Sequence, residues 1–309
     1  MAVDIGGTKI ALALIAETGD IVVETVVPTA ASTDPEAIWE PLAGALARLP
    51  LESGGRYDVG IGTAGPIDTP SGTISPVNIA GWRRFPIVAR VGEVIRTASG
   101  AAGGVVLAGD GHCIALGEHW LGAGRDLDTM VGMVISTGIG GGAVIDNQLF
   151  TGSTGNAVHV GHTSVNAWGE RCVCGCHGCV EMYARGPAMV EAARTRGWSG
   201  SDGEQLTASA RAGDPVALTA IEDGMRAAAA GIAATATQLD IDTFVIGGGL
   251  AKAGEVIFGP LRRQLGDFAT LDYVSTLELR PAELPNAGLL GAASLALSLS
   301  GRGPLRPPT

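Results

Sequence analysis

Six residues within a span of eighteen carry the strongest chemical signal in the chain: His162, Cys172, Cys174, Cys176, His177 and Cys179. Thiolates and imidazoles in fourfold array are the donor set that Zn²⁺ prefers, and a site closed by four protein ligands is structural. Spacing alone does not say which four of the six bind. Four of the five cysteines fall between Cys172 and Cys179. Such crowding suits metal ligation in a reducing cytoplasm better than a disulfide framework.

Three glycine-rich turns form a second signal, each following a short apolar run: Gly6-Gly7-Thr8, Thr137-Gly138-Ile139-Gly140-Gly141-Gly142 and Gly247-Gly248-Gly249. Glycine lets backbone N–H groups approach a phosphate with no Cβ in the way, and Thr8 or Thr137 can add hydroxyl donors. None has the spacing of a P-loop or a Rossmann turn, and any one alone reads equally well as a tight turn. Three together, two of them in a repeated pattern, point to nucleotide phosphates. Asp110, flanked by Gly109 and Gly111 at the end of an apolar strand, is the candidate general base, because α/β folds gather functional residues at strand ends. The same position suits an ordinary helix N-cap.

The elements that must position these groups follow from periodicity. Residues Ala2 to Ile15 are two apolar runs around a Gly-Gly turn, a β-hairpin. The pattern returns about 130 residues later, with Met130 to Ile135 apolar, a glycine-rich turn over Ser136 to Gly142, and Ala143 to Ile145 apolar again. Two related halves facing one another across a cleft are the reading. Further strands are predicted at Val59–Thr63, Gly104–Ala108 and Phe244–Ile246. Helices are predicted at Pro35–Leu49 (capped by Thr33 or Asp34), Arg90–Ser99, Asp110–Trp120, Pro187–Thr195, Asp214–Leu239, beyond Gly249, and at Gly288–Leu299. Gly301 to Thr309 reads as a frayed tail. Strands alternate with helices, so the class is α/β.

The 309 residues suffice for two domains with a sizeable core, and 46% hydrophobic against 17% charged residues exclude a disordered chain. Gly, at 48 residues, is about twice its usual share, and the surplus belongs in turns and close backbone approaches. A net charge of −11 argues against nucleic acid or an anionic membrane as the main partner. No run of about eighteen apolar residues marks a membrane span, and Met1-Ala2-Val3-Asp4 lacks the basic and apolar regions of a signal peptide. A cytoplasmic protein is expected. Lys9 and Lys252 are the only lysines, the other bases being Arg, which reads as codon bias.

These residues resemble the ROK (repressor, ORF, kinase) family of sugar kinases, glucokinase-like, over nearly the whole chain. Asp4-Ile5-Gly6-Gly7-Thr8-Lys9 is similar to that family's first phosphate motif, and Ser136 to Gly142 to its second. Gly161-His162 followed by Cys172-x-Cys174-Gly175-x-x-Gly178-Cys179-x-Glu181 resembles its zinc signature. The runs Leu116 to Gly124 and Pro285 to Ala293 are also family-like.

The resemblance implies an actin/hexokinase-type (ribonuclease H-like) fold. Its small α/β lobe would span 1–109, with about 297–309 returning to it, and a large lobe with the zinc loop would span 110–296. It implies transfer of the γ-phosphoryl group of ATP, with Mg²⁺, to a hydroxyl of a hexose or amino-hexose, and a homodimer or homotetramer. Asp110 matches the base. Gly65, Asn78, His159, His162 and Glu181 match sugar-side positions, and Asp4, Gly6, Gly7, Thr8, Lys9, Thr137, Gly138, Gly140, Gly248 and Gly249 match the ATP side. His162, Cys172, Cys174 and Cys179 match the zinc ligands, leaving Cys176 as an extra thiol. The family usually has Asn before the catalytic aspartate, where this chain has Gly109, and Glu where it has His159. Those two departures motivate one rival, a non-catalytic sugar-binding sensor. A second rival, a sugar-responsive repressor, needs an N-terminal helix-turn-helix, and the first phosphate motif leaves no room for one.

Overall fold

The computed structural model describes residues 1–101 and 103–303. The expected frayed tail, 301–309, and the returning segment, about 297–309, are described only as far as residue 303. The chain forms two compact units. Among the described residues, unit 1 comprises Met1–Asp128, Gly142–Ala157 and 284–303; unit 2 comprises Thr129–Gly141 and Val158–Glu283.

In chain order the strands and helices begin with β1 (Ala2–Ile5), β2 (Lys9–Ile15), β3 (Ile21–Pro28), α1 (Pro35–Ala47), β4 (Val59–Thr63), β5 (Ile67–Asp68) and β6 (Thr73–Ile74). They continue with α2 (Ile87–Ser99), β7 (Val105–Gly109), α3 (Asp110–Leu121), β8 (Met130–Ile135), β9 (Ile139–Ile145) and β10 (Gln148–Phe150). The remainder are α4 (Glu181–Ala184), α5 (Gly186–Thr195), α6 (Gly203–Arg211), α7 (Pro215–Leu239), β11 (Thr243–Gly247), α8 (Glu255–Phe268), β12 (Glu278–Pro281) and α9 (Ala287–Leu299).

The first sheet has the order β3-β2-β1-β4-β7. Its β1–β2 hairpin is antiparallel, while β4 and β7 run parallel to β1. One face buries Val3, Ile5, Ile61 and Leu107 with Ile38, Leu42, Ile87 and Val91 from α1 and α2. On the other face, β4 reads Val-Gly-Ile-Gly-Thr, and the period of two sends Gly60 and Gly62 to the same side. A Cβ at Gly60 would lie 1.7 Å from the Ala292 carbonyl oxygen of α9, and one at Gly62 would lie 2.8 Å from Cys113 Sγ of α3. Glycine at alternate positions therefore lets α9 and α3 lie directly on the strand, which fixes where α3 begins.

The second sheet has the order β10-β9-β8-β11-β12, with β11 parallel to β8 and β12. The strand–turn–strand pattern read twice in the sequence is thus a sheet arrangement built twice, each time with the strand before the glycine-rich turn at the centre. The turn of the second copy is shorter than its glycines suggest, since β9 already begins at Ile139. Seven elements of the described residues escape a reading from periodicity: β3, β5, β6, β10, β12, α4 and α6. β12 is the half-polar edge run Glu-Leu-Arg-Pro, and α6 is only nine residues long, so neither offers a long apolar repeat.

Asp34 and Asp214 cap α1 and α7, each followed by Pro at the first helical position. The 110/109 boundary is not where the units divide. α3 stays with unit 1 because it packs on α9 through paired close approaches: a Cβ at Gly117 would lie 2.1 Å from Ala287 O, and one at Gly291 would lie 1.7 Å from Cys113 O. The buried Glu118 carboxylate adds hydrogen bonds from the Ala123 N–H (3.0 Å) and the Leu284 N–H (2.9 Å). No helix among the described residues is long and apolar enough to cross a membrane.

Candidate active site and metal centre

Unit 1 brings together the first glycine turn, Asp4, Asp110, Gly65 and Asn78. The turn is closed by the Gly6 N–H donating to Lys9 O at 3.0 Å, leaving Thr8 and Lys9 exposed. A Cβ at Gly7 would sit 2.6 Å from Asn78 Nδ2, so the absent side chain is what admits Asn78 against the turn. The Val77 N–H donates to Gly65 O at 3.1 Å, tying the Gly65 loop to the Asn78 loop.

Asp110 is the first residue of α3, and the N-cap is Gly109, with no side-chain cap bond. The N-cap alternative read from the sequence therefore falls to Gly109. One Asp110 oxygen, Oδ1, accepts the Gly111 N–H at 2.7 Å, which orients the carboxylate. A Cβ at Gly109 would lie 3.2 Å from Nδ1 of the buried His112, so imidazole occupies the space beside this bare position. Burial first, and then the negative charge of Asp110, push the Asp4 carboxyl from 3.8 up to about 6, with Lys9 opposing. The buried Cys113 thiol is likewise pushed up by burial and by both carboxylates.

A pKa raised on folding contributes stability that is present below the unfolded value and lost as pH rises through the folded one. Ionised Asp4 thus costs the fold about 3 kcal/mol at neutral pH, at about 1.4 kcal/mol per pH unit. Asp4→Asn is expected to be more stable than wild type at pH 7.5 by up to that amount. The gain should shrink between pH 6 and 4, as followed by urea denaturation at both ends of the range.

Unit 2 sets the ends of β8 and β11 side by side. Gly248 has φ +100°, and a Cβ there would lie 2.4 Å from Ile135 O, so only glycine fits. The Leu250 N–H reaches Ile135 O at 3.2 Å and the Gly186 N–H reaches Ser136 O at 2.8 Å. Thr137 and Gly249 line a cavity of about 880 Å³ whose further walls come from α5, α6 and the turn after β11, including Glu191, Arg194, Arg211 and Lys252. Gly138, Gly140 and Gly248 shape the backbone without lining it. The α5–α6 wall went unread in the sequence because its polar residues share no spacing signal.

Of the six candidate ligands, the fold gathers the four that the resemblance implies. His162, Cys172, Cys174 and Cys179 hold their ligand atoms within 4.8 Å of one another. Cys174 Sγ and Cys179 Sγ are 3.6 Å apart, and Cys172 Sγ and His162 Nδ1 are 3.8 Å apart. Those spacings match the edge, about 3.7 Å, of a tetrahedron with 2.3 Å zinc–sulfur bonds, and far exceed a disulfide's length of about 2 Å. Burial and the neighbouring thiols push the Cys179 thiol well above its ordinary range, so a bound cation would be needed for Cys179 to serve as a thiolate. Cys176 and His177 turn away: Cys176 Sγ contacts His177 O, and His177 Nδ1 pairs with Gly169 O at 2.9 Å. Gly178, at φ +61°, permits the loop, since a Cβ there would lie 1.8 Å from Asn166 O.

The loop leads straight to the remaining candidates. The Val180 N–H donates to Thr163 O, and α4 opens with Glu181, whose Oε2 accepts the Ile139 N–H at 2.9 Å. Glu181 thereby braces the second glycine-rich turn, and a Cβ at Gly138 would lie 3.1 Å from the same oxygen. His159 stands with its ring 5.9 Å from that of His162. Its pKa is lowered, chiefly by burial and then by His162, so the ring is neutral at pH 7.

A glycine turn beside Asp4 and Asp110 in one unit, and a cavity-lining glycine turn with a Cys₃His cluster in the other, make up the candidate site of an α/β protein. The ROK family model matches residues 1–298, and the chain belongs to that family. The glucokinase of Streptomyces coelicolor is 33% identical, over 96% of this chain and 96% of its own length. The N-acetylmannosamine kinase of Escherichia fergusonii is also 33% identical, over 96% of this chain and 97% of its own. Among solved structures, a ROK family glucokinase from Streptomyces griseus in complex with glucose and AMPPNP has a TM-score of 0.77 at 33% identity, covering 95% of this chain and 97% of that one.

Proposed function

We propose that this chain, a sugar kinase, transfers the γ-phosphoryl group of ATP to a hydroxyl of a hexose or amino-hexose, with Asp110 as general base. The observation that carries the reading is the placement of Asp110: first in α3, oriented by the Gly111 N–H, and close enough to Asp4 for the two charges to interact. The acceptor hydroxyl attacks phosphorus, its proton passes to the Asp110 carboxylate, and the bond from phosphorus to the ADP oxygen breaks. Such transfer needs positioning and charge stabilisation more than covalent help.

With the Gly6 N–H taken up by Lys9 O, the backbone N–H groups of Gly7 and Thr8 and the Thr137 hydroxyl suit phosphate oxygens, and the cavity beside Thr137 and Gly249 suits the adenosine. A magnesium ion carried by ATP would neutralise phosphate charge, and Asp4, whose raised pKa a nearby cation would reverse, is the carboxylate that fits it. Gly65, Asn78, His159, His162 and Glu181 are assigned to the sugar. The Cys₃His cluster, filled by four protein ligands, serves the fold of the loop that carries Glu181 and leaves no open position for water. The chain works as a homodimer or homotetramer, an assignment that rests on the family resemblance.

The test is ATP consumption against a panel of plain and N-acetylated hexoses, with Asp110→Asn as the blank. Both sugar classes belong in it because Gly109 offers no side chain and neutral His159 offers one donor and one acceptor nitrogen. No sugar-dependent turnover above the blank would favour the sensor over the kinase.

A further inference from the structure

Of twenty basic residues only two are lysines, so eighteen are arginines. A reading as codon bias covers the eighteen but not the places of the two lysines. Lys9 directly follows the Gly6-Gly7-Thr8 turn, and Lys252 lies three residues beyond Gly247-Gly248-Gly249. Lys252 sits in a short 3₁₀ turn, Ala251–Ala253, exposed, and lines the same 880 Å³ cavity as Thr137 and Gly249.

Three cationic side chains line that cavity, and two are committed. Arg194 donates from Nε to Gly200 O at 2.9 Å. Arg211 donates to Ala253 O at 3.0 Å, which also anchors the turn bearing Lys252. Among the described residues the Lys252 ammonium makes no ion pair and no hydrogen bond, whereas the lining carboxylate of Asp202 is taken up as the cap of α6. A mobile ammonium on a four-carbon stem can follow a phosphate chain, which a guanidinium already fixed to backbone carbonyls cannot.

We propose that Lys252 is a phosphate-binding residue of the nucleotide cavity, giving its charge to the donor's phosphate chain rather than to the nucleoside. This rests on the reading of that cavity as the donor site, and the experiment separates the two. AMPPNP and adenosine are titrated calorimetrically into the wild-type chain and into Lys252→Met, which keeps the stem and removes the charge. A hydrogen bond to a charged group of this kind corresponds to about a tenfold or larger change in affinity. AMPPNP should therefore bind at least about tenfold more weakly to the variant, with a shallower salt dependence, while adenosine binds both proteins alike. Unchanged adenosine binding also shows that the cavity is intact. If wild type binds neither ligand, the donor-site reading fails and the inference with it. If wild type binds both, and the variant loses neither or loses both equally, the role of Lys252 alone is overturned.

Discussion

Asp110→Asn is expected to lower kcat by about 10²–10⁴-fold, the span associated with a positioned general base. Asparagine preserves the shape of the side chain and its oxygen can still accept the Gly111 N–H bond seen at 2.7 Å, so α3 should start as before. What is lost is the ability to take up the acceptor proton. Affinity for AMPPNP should be nearly unchanged, because nothing assigns Asp110 to the nucleoside or its phosphates. A second readout separates the base from a merely structural carboxylate. The charge of Asp110 is one of the causes holding the Asp4 carboxyl near 6. Removing it should move the Asp4 titration back toward the ordinary carboxylate range and raise, not lower, stability at pH 7.5. Turnover within a few-fold of wild type, at saturating ATP and sugar, would remove Asp110 from the chemistry and leave it only a helix-start residue.

Much of this arrangement is local and therefore legible. The β1–β2 and β8–β9 pairs announce themselves because an apolar run, a glycine turn and a second apolar run need no distant partner to be recognised. The metal loop is legible for the same reason, although only three dimensions show that Cys176 and His177 point away from the cluster. The division into units is not legible, because it depends on contacts between segments far apart in the chain. Gly60, Gly117 and Gly291 read as small residues in a strand and two helices, yet each marks a backbone-to-backbone approach that binds α3 and α9 to the first sheet. Glu118 lies in the helix predicted from Asp110 to Trp120, and only its hydrogen bonds to Ala123 and Leu284 show that its carboxylate is interior. The cavity wall fails differently: Arg194, Arg211 and Lys252 come from three elements and share no period. Only the scarcity of lysine singles one of them out.

Cys179→Ser is expected to strip the metal from the chain and, with it, much of the order of the loop from Thr163 to Val180. Four ligand atoms already lie at the separations a tetrahedral ion requires, so wild type should carry about one zinc per chain by elemental analysis, as a Cys₃His site does. Serine is a poor substitute for a thiolate, and Cys179 is fully buried, so the altered site has little freedom to recruit another ligand. Because metal binding free energy is also folding free energy, the melting temperature should fall by several degrees, and acid should release the ion from wild type as the thiolates protonate. The damage should spread along a defined route. Glu181, assigned to the sugar, follows Cys179 by two residues, so loosening the loop should raise KM for the sugar; because its Oε2 also holds the Ile139 N–H of the second glycine-rich turn at 2.9 Å, AMPPNP binding should weaken as well. Cys176→Ser tests the assignment from the other side: its thiol faces the His177 carbonyl and stands outside the four-ligand cluster, and metal content, melting temperature and sugar KM should all match wild type. Zinc kept by the Cys179 variant and lost from the Cys176 variant would reverse the ligand set, and Glu181 would then lose its tie to the metal.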